Sequence, residues 1–176
     1  DNLRRANEVN VQNPFASWTS TYKVGDYQSS TTIDYSHFTD KVTKNAGING
    51  YTSFNQTFMK AWGTSGISSG VALSIGQYFK DGDARATARR DLGIYPMAEY
   101  QINDTFVART VFGYFNYNNN EGDSALAFRR TYEYQSIGIG IVAARNVWIY
   151  PNVQFIPDEL DLGFTNVSVS ATINLF

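Results

Sequence analysis

The sequence predicts an all-β chain: a single domain over 1–176, folded as an antiparallel up-and-down transmembrane β-barrel of about ten strands, within a range of about eight to twelve. Three observations carry this. The apolar residues alternate with period two over most of the chain, as they do on a strand with one apolar face. The alternating segments are long, mostly more than the roughly nine to eleven residues a tilted strand needs to cross a bilayer. The aromatic residues gather at two levels along those segments, as they do where a barrel meets both surfaces of a membrane.

From residue 45 onward strands are expected at 46–61, 66–80, 86–102, 105–118, 126–143, 146–156 and 161–176. Their separators carry turn chemistry at 63–66, 80–83, 103–104, 118–123, 145–146 and 157–160, rich in Gly, Asn and Asp. In 67–79 the odd positions include Ile67, Val71, Leu73, Ile75 and Phe79, against Ser68, Gly70, Ala72, Ser74 and Gly76 at even ones. In 88–102 Leu92, Ile94, Ala98, Tyr100 and Ile102 alternate with Arg89, Asp91, Glu99 and Gln101. The strand at 126–143 changes phase, since Arg129, Glu133 and Gln135 share parity with Ile137, Ile139 and Ile141. A bulge near Ser136, or a strand projecting beyond the membrane, is expected there. Two further strands, 15–24 and 27–38, flank Gly25-Asp26 and bring the count to nine. Bacterial single-chain barrels have even strand numbers. Residues 3–12 supply a tenth strand, or upstream strands lie outside this chain, or one segment is no membrane strand and eight remain; ten is the preferred count.

Composition narrows the classes. The 176 residues include 12 Tyr, 12 Phe and 3 Trp, no Cys, and a formal charge of −2. Near-neutral charge offers no footprint for nucleic acid, and without cysteine there is neither a disulfide framework nor thiolate chemistry. The longest charge-free run, 61–79, holds four Gly and four Ser residues, which excludes a spanning helix. A mean hydropathy below zero suits a barrel, because half of each strand faces a polar lumen. No signal peptide is present, and Asp1 reads as a processed or truncated start.

The last strand alternates Val167, Val169, Ala171, Ile173 and Leu175 with Ser168, Ser170, Thr172 and Asn174, and ends on Phe176. It resembles the C-terminal assembly signal of Gram-negative outer-membrane β-barrel proteins, small porin-like barrels among them. Asn174 departs from that pattern, which places an apolar or aromatic residue two before the end. The resemblance implies insertion by the barrel-assembly machinery through this strand, residence among the lipids of the bacterial outer membrane, and a periplasmic C-terminus. Working back from that end, turns 62–66, 103–104 and 144–146 are periplasmic, while 39–45, 81–85, 119–125 and 157–160 face outward. Trp62, Tyr100, Phe106, Trp148 and Phe176 then fall at the periplasmic boundary; Phe38, Phe79, Tyr117, Phe128 and Phe164 fall near the outer one.

Charges that alternation sends inward lie at two heights: Arg89, Asp91, Arg129 and Glu133 toward the outside, Glu99 and Arg109 beside turn 103–104. Two readings stand. They form a constriction selecting small polar solutes, or they pair with one another and fill a narrow lumen. Small residues on 46–61 and 66–80 (Gly47, Ser53, Ser68, Gly70, Ala72, Gly76) leave room on one wall. His37 is the only histidine, with Ser36 and Asp34 beside it. Neighbours on a strand point to opposite faces, so Ser36 and His37 make no nucleophile–base pair, and an interfacial histidine is the preferred reading over a lipid acyl hydrolase or transferase. Gly138-Ile139-Gly140 lacks the helix of a dinucleotide loop, Asp81-Gly82-Asp83 offers too few calcium ligands, and Arg90 and Arg130 read as snorkelling side chains or contacts to lipid phosphates. No cofactor, metal or catalytic residue is expected.

The expected function is a narrow passive channel, with Arg89, Asp91, Glu99, Arg109, Arg129 and Glu133 lining it. The alternatives are a structural or adhesive barrel with a filled lumen, the lipid-modifying enzyme centred on His37, and a soluble β-barrel or sandwich around an apolar cavity. The last would bring Ile75, Ile94, Val169 and Leu175 together in a dry interior.

Overall fold

The computed structural model describes residues 13–81, 88–131, 133–145, 147–158, 163 and 165–173. The chain is all-β with one short helix: β1 (Phe15–Val24), β2 (Tyr27–His37), α1 (Lys41–Asn45), β3 (Ile48–Ala61), β4 (Ile67–Lys80), β5 (Ala88–Gln101), β6 (Phe106–Gly113), β7 (Phe115–Asn120), β8 (Arg129–Arg130), β9 (Tyr134–Ala144), β10 (Val147–Phe155) and β11 (Asn166–Ile173). All strands belong to one antiparallel up-and-down sheet, ordered β1-β2-β3-β4-β5-β6-β9-β10-β11, with β7 continuing β6 against β5 and β8 pairing β7. β6 with β7, and β8 with β9, are each one ribbon interrupted partway. The eleven strands therefore make nine crossings, at the nine segments the alternation marks. The phase change falls at 131–133, between β8 and β9, rather than near Ser136.

Short connections, 25–26, 62–66 and 102–105, cluster at one end of the sheet, and the long ones, such as 38–47 and 121–128, at the other. At the first of these, Gly25 sits at φ 58°. That is the left-handed first position a two-residue Gly-X reversal requires. At the long-loop end Asp40 caps α1, accepting the Thr43 amide at 2.8 Å.

The sheet is not closed into a barrel: among the described residues no pairing joins β1 to β11. With nine antiparallel crossings the first and last run in the same direction, so only a parallel ladder could join them. Residues 3–12, expected as a tenth strand, lie outside the described residues.

Register separates the residues cleanly by face. One row runs Trp18, Ile33, Phe54, Ile75, Leu92 and Tyr117 across six strands. Its counterpart on the opposite face is Ser17, Asp34, Ser53, Gly76, Asp91, Asn118 and Arg129. The apolar row is the exposed one: Trp18 is 57%, Ile33 46% and Ile75 47% accessible. The polar face buries Ser53, Asn116, Ser136 and Asn152, while Ser29 and Asn119 are buried on the other face. Met97 and Val107 are the buried hydrophobic residues among those described. The dry interior of a soluble barrel is therefore absent among the described residues. Ile75 and Val169 are exposed, Ile94 is half-buried, and Leu175 lies outside them.

Two prolines explain where the ladders break. Proline has no N–H to donate, so it leaves a gap in a central strand. β5 pairs β7 up to Ile94 and β6 from Met97 onward, with Pro96 between them. β10 pairs β9 at Ile149 and again at Asn152, with Pro151 between. The break between β6 and β7 at Tyr114 lies in the gap left by Pro96.

Polar-face glycines sit beneath aromatic rings. Side chains at Gly76, Gly138 and Gly140 would collide with Tyr51, Tyr150 and Trp148 respectively. Each glycine gives a neighbouring ring a flat seat on the backbone. Gly140→Val is expected to unseat Trp148 and destabilise the fold by about 1–3 kcal/mol, the usual cost of overpacking. Urea unfolding in detergent micelles measures this, and pairing the change with Trp148→Ala is expected to recover part of the loss.

Candidate functional site

The polar face holds every charged side chain that the parity of β5 and β6 sends inward. Glu99 and Arg109 are directly opposed across β5 and β6, with Arg109 Nε 3.5 Å from Glu99 Oε1. Arg109 Nε is buried without a hydrogen-bond partner, so this contact is electrostatic rather than a hydrogen bond. The guanidinium lies 5.6 Å from the Tyr150 ring centre, a cation–π distance, and its Nη2 approaches Met97 Sδ at 3.7 Å.

At the other height the expected cluster does not assemble as one ring. Asp91 accepts a hydrogen bond from Tyr51 Oη at 3.0 Å, across Gly76 of the intervening strand. Arg89 lies half-buried on the same face, beside the register shift between Ala88 and Arg90. Arg129 turns away to Asp123 in the loop after β7, at 3.0 Å. Glu133 pairs with Arg130 at 2.8 Å. Arg129 shares the row of Asp91 through Asn118 but is held by Asp123, and Glu133, past the break between β8 and β9, is held by Arg130, so neither joins Asp91. Arg90 and Arg130 are also engaged within the protein. Arg90 Nε donates to Gln77 Oε1 at 3.0 Å, and Arg130 forks onto the Tyr114 carbonyl at 3.0 and 2.9 Å.

Of the expected boundary aromatics, Trp62, Tyr100 and Phe106 are exposed at the short-turn end. Trp62 Nε1 donates to Ser69 Oγ at 2.8 Å, and the Lys60 ammonium lies 5.3 Å from its ring and 5.6 Å from that of Tyr27. Trp148 is at the expected height but on the opposite face, packed over Gly140 on the polar side. Phe176 and Phe164 lie outside the described residues. At the long-loop end Tyr35 and Phe79 are exposed, their ring centres 6.2 Å apart.

His37 is exposed at the end of β2, on the face of Ile33 and Tyr35, away from Asp34 and Ser36. Among the described residues its imidazole has no hydrogen-bond partner. The calcium reading of Asp81-Gly82-Asp83 falls partly outside the described residues, and no group of three metal-ligand side chains occurs among those described.

Sequence reasoning missed Asp34. Its carboxylate accepts Asn55 Nδ2 at 3.0 Å and Ser53 Oγ at 3.3 Å, on the face of Asp91. The signal was its parity with Thr32 and Ser30. Two hollows indent the polar face. One of about 430 Å³ near the short-turn end is walled by β1 to β5; one of about 410 Å³ lies beside Glu133, Tyr134 and Gln154. No protein-family model matches the chain, and no curated protein matches it.

Asp40, at the long-loop end, has its carboxyl lowered from 3.8 to about 2, first by the Thr43 amide and then by the Asn13 side chain. A depressed carboxyl stabilises fully above its unfolded value, and the contribution is lost as pH falls from 3.8 toward about 2. Amide exchange at Thr43 is therefore expected to stay protected at pH values above that window and to quicken within it. In Asp40→Asn, which keeps an acceptor that does not titrate, the acid step is expected to vanish.

Proposed function

We propose that this chain is an integral outer-membrane β-barrel acting as a narrow passive channel for small polar solutes. The observation that carries the reading is the inverted arrangement of the sheet. Large apolar side chains dominate the outward face, as in the row Trp18, Ile33, Phe54, Ile75 and Leu92, with a polar patch at Thr31 and Gln56 among them, while Asp34, Ser53, Asp91, Glu99 and Arg109 face the other side. Contiguous exposed apolar surface of this kind marks contact with a membrane or a partner. In hydrocarbon it is the favourable surface, and the antiparallel ladder pairs the backbone across β2 to β10 apart from the gaps beside Pro96 and Pro151. Exposed Trp62, Tyr100 and Phe106 at one end, with Tyr35 and Phe79 at the other, fit the two interfaces of such a barrel.

In this reading one further strand between β11 and β1 completes the ring with an even count; the segment 3–12 is its expected source. Insertion through the C-terminal strand by the barrel-assembly machinery follows from the same class. The solute diffuses down its gradient, with no covalent step and no cofactor. Glu99 and Arg109 set the potential at one mouth, Asp34 and Asp91 at the other height.

Single-channel recording in planar bilayers tests this. Discrete conductance steps are expected, with Glu99→Gln shifting the reversal potential toward anions and Arg109→Gln toward cations. A folded protein that stays silent overturns the passage reading.

A second reading, a structural barrel with a filled lumen, is favoured by one observation: the aromatic rings seated on polar-face glycines. Tyr51, Tyr150 and Trp148 occupy space a solute would need. The two readings separate in one variant. If the rings seal the lumen, wild type is silent and Trp148→Ala with Tyr150→Ala opens a conductance; if not, wild type already conducts and the double change only enlarges the step.

A further inference from the structure

The polar face is not uniform in how its side chains are satisfied. Toward the long-loop end they serve one another: Asp34 with Ser53 and Asn55, Thr19 with Thr32, Tyr51 with Asp91. Toward the short-turn end the hollow of about 430 Å³ is lined by polar Lys23, Gln28, Ser30, Thr57 and Ser68, by the acids Asp26 and Glu99, and by Met59 and Ala61. Among the described residues none of those first five side chains has a hydrogen-bond partner in the protein. The two acids are neutralised, Asp26 by Lys60 at 3.2 Å and Glu99 by Arg109 at 3.5 Å. Among the described residues the charge in the hollow without an ion-pair partner is therefore the ammonium of Lys23, with hydroxyls and one carboxamide beside it.

We infer that this hollow is a binding site for a small, polyhydroxylated carboxylate of the sugar-acid class. Lys23 takes the carboxylate as a charge-assisted hydrogen bond. Gln28, Ser30, Thr57 and Ser68 exchange hydrogen bonds with the solute's hydroxyls, each able to donate and to accept as such a solute requires. A volume of about 430 Å³ admits a six-carbon chain together with bridging water. A dication is disfavoured by the free ammonium, and an apolar ligand would leave all five lining side chains unsatisfied. The inference rests on the polar face being open to solute, and it names the class of solute that the channel mouth favours.

Calorimetric titration of the detergent-purified full chain with gluconate and with sorbitol, matched in size and hydroxyl pattern, tests it. Gluconate is expected to bind roughly tenfold or more tightly than sorbitol, the scale of one hydrogen bond to a charged group. Lys23→Met is expected to abolish that preference, and Lys23→Arg to keep it. Thr57→Val is expected to weaken both ligands while preserving the ratio. Equal binding of the two ligands by wild type overturns the inference without any variant, as does a gluconate preference that survives Lys23→Met. A protein that conducts yet shows no preference overturns this site alone. A silent protein that still prefers gluconate supports the site and overturns the passage reading.

Discussion

The structure depends on one constraint: a strand places successive side chains on opposite faces, and the ladder holds that alternation in step across nine ribbons. Once Ile33, Phe54, Ile75 and Leu92 share a row, their neighbours Asp34, Ser53, Gly76 and Asp91 must share the row behind it. No side chain chooses its face individually. Because the face behind the exposed apolar row is polar, the usual driving force of folding in water is missing from the interior. What holds the sheet is the ladder itself, with ion pairs, hydroxyl bonds and rings seated on glycines beneath it.

That constraint also says why the polar face is so economical. Several large residues there are paired with absences: Tyr51 over Gly76, Tyr95 over Gly93, Tyr134 over Gly113, Trp148 over Gly140. Each ring covers backbone that a side chain would otherwise cover, and it gains a rigid flat contact. Where such pairs are lacking, on β1 to β4 at the short-turn end, the wall carries Ser, Thr and Gln with Lys23, Met59 and Ala61, and a hollow remains. Filled and hollow stretches thus fall on different strands of one sheet.

Much of this was legible in the residues. The nine crossings, the short turns, the Glu99–Arg109 pairing and the exposed Trp62, Tyr100 and Phe106 follow from period-two patterning and turn chemistry. The misreadings have local causes. Trp148 has the right height but the wrong face. An aromatic at a strand end looks the same in sequence whether it meets lipid or a glycine, and a register shift between Val147 and Trp148 resets the phase there. Arg129 and Glu133 do not join Asp91 because each finds a nearer acid or base: Arg129 takes Asp123 of the preceding loop, and Glu133, past the interruption of the ribbon, takes Arg130. The ladder gaps at Pro96 and Pro151 were marked by residue type, but their effect depends on which neighbour each proline fails to serve.

The odd number of crossings has a consequence for how such a molecule is made. The two rims of an odd sheet run alike, so neither can zip antiparallel onto the other, however close they drift. Only when the tally becomes even do the rims turn complementary. Nine ribbons so arranged leave two like-directed rims, and what each rim lacks is a neighbour of opposite travel rather than any one side chain.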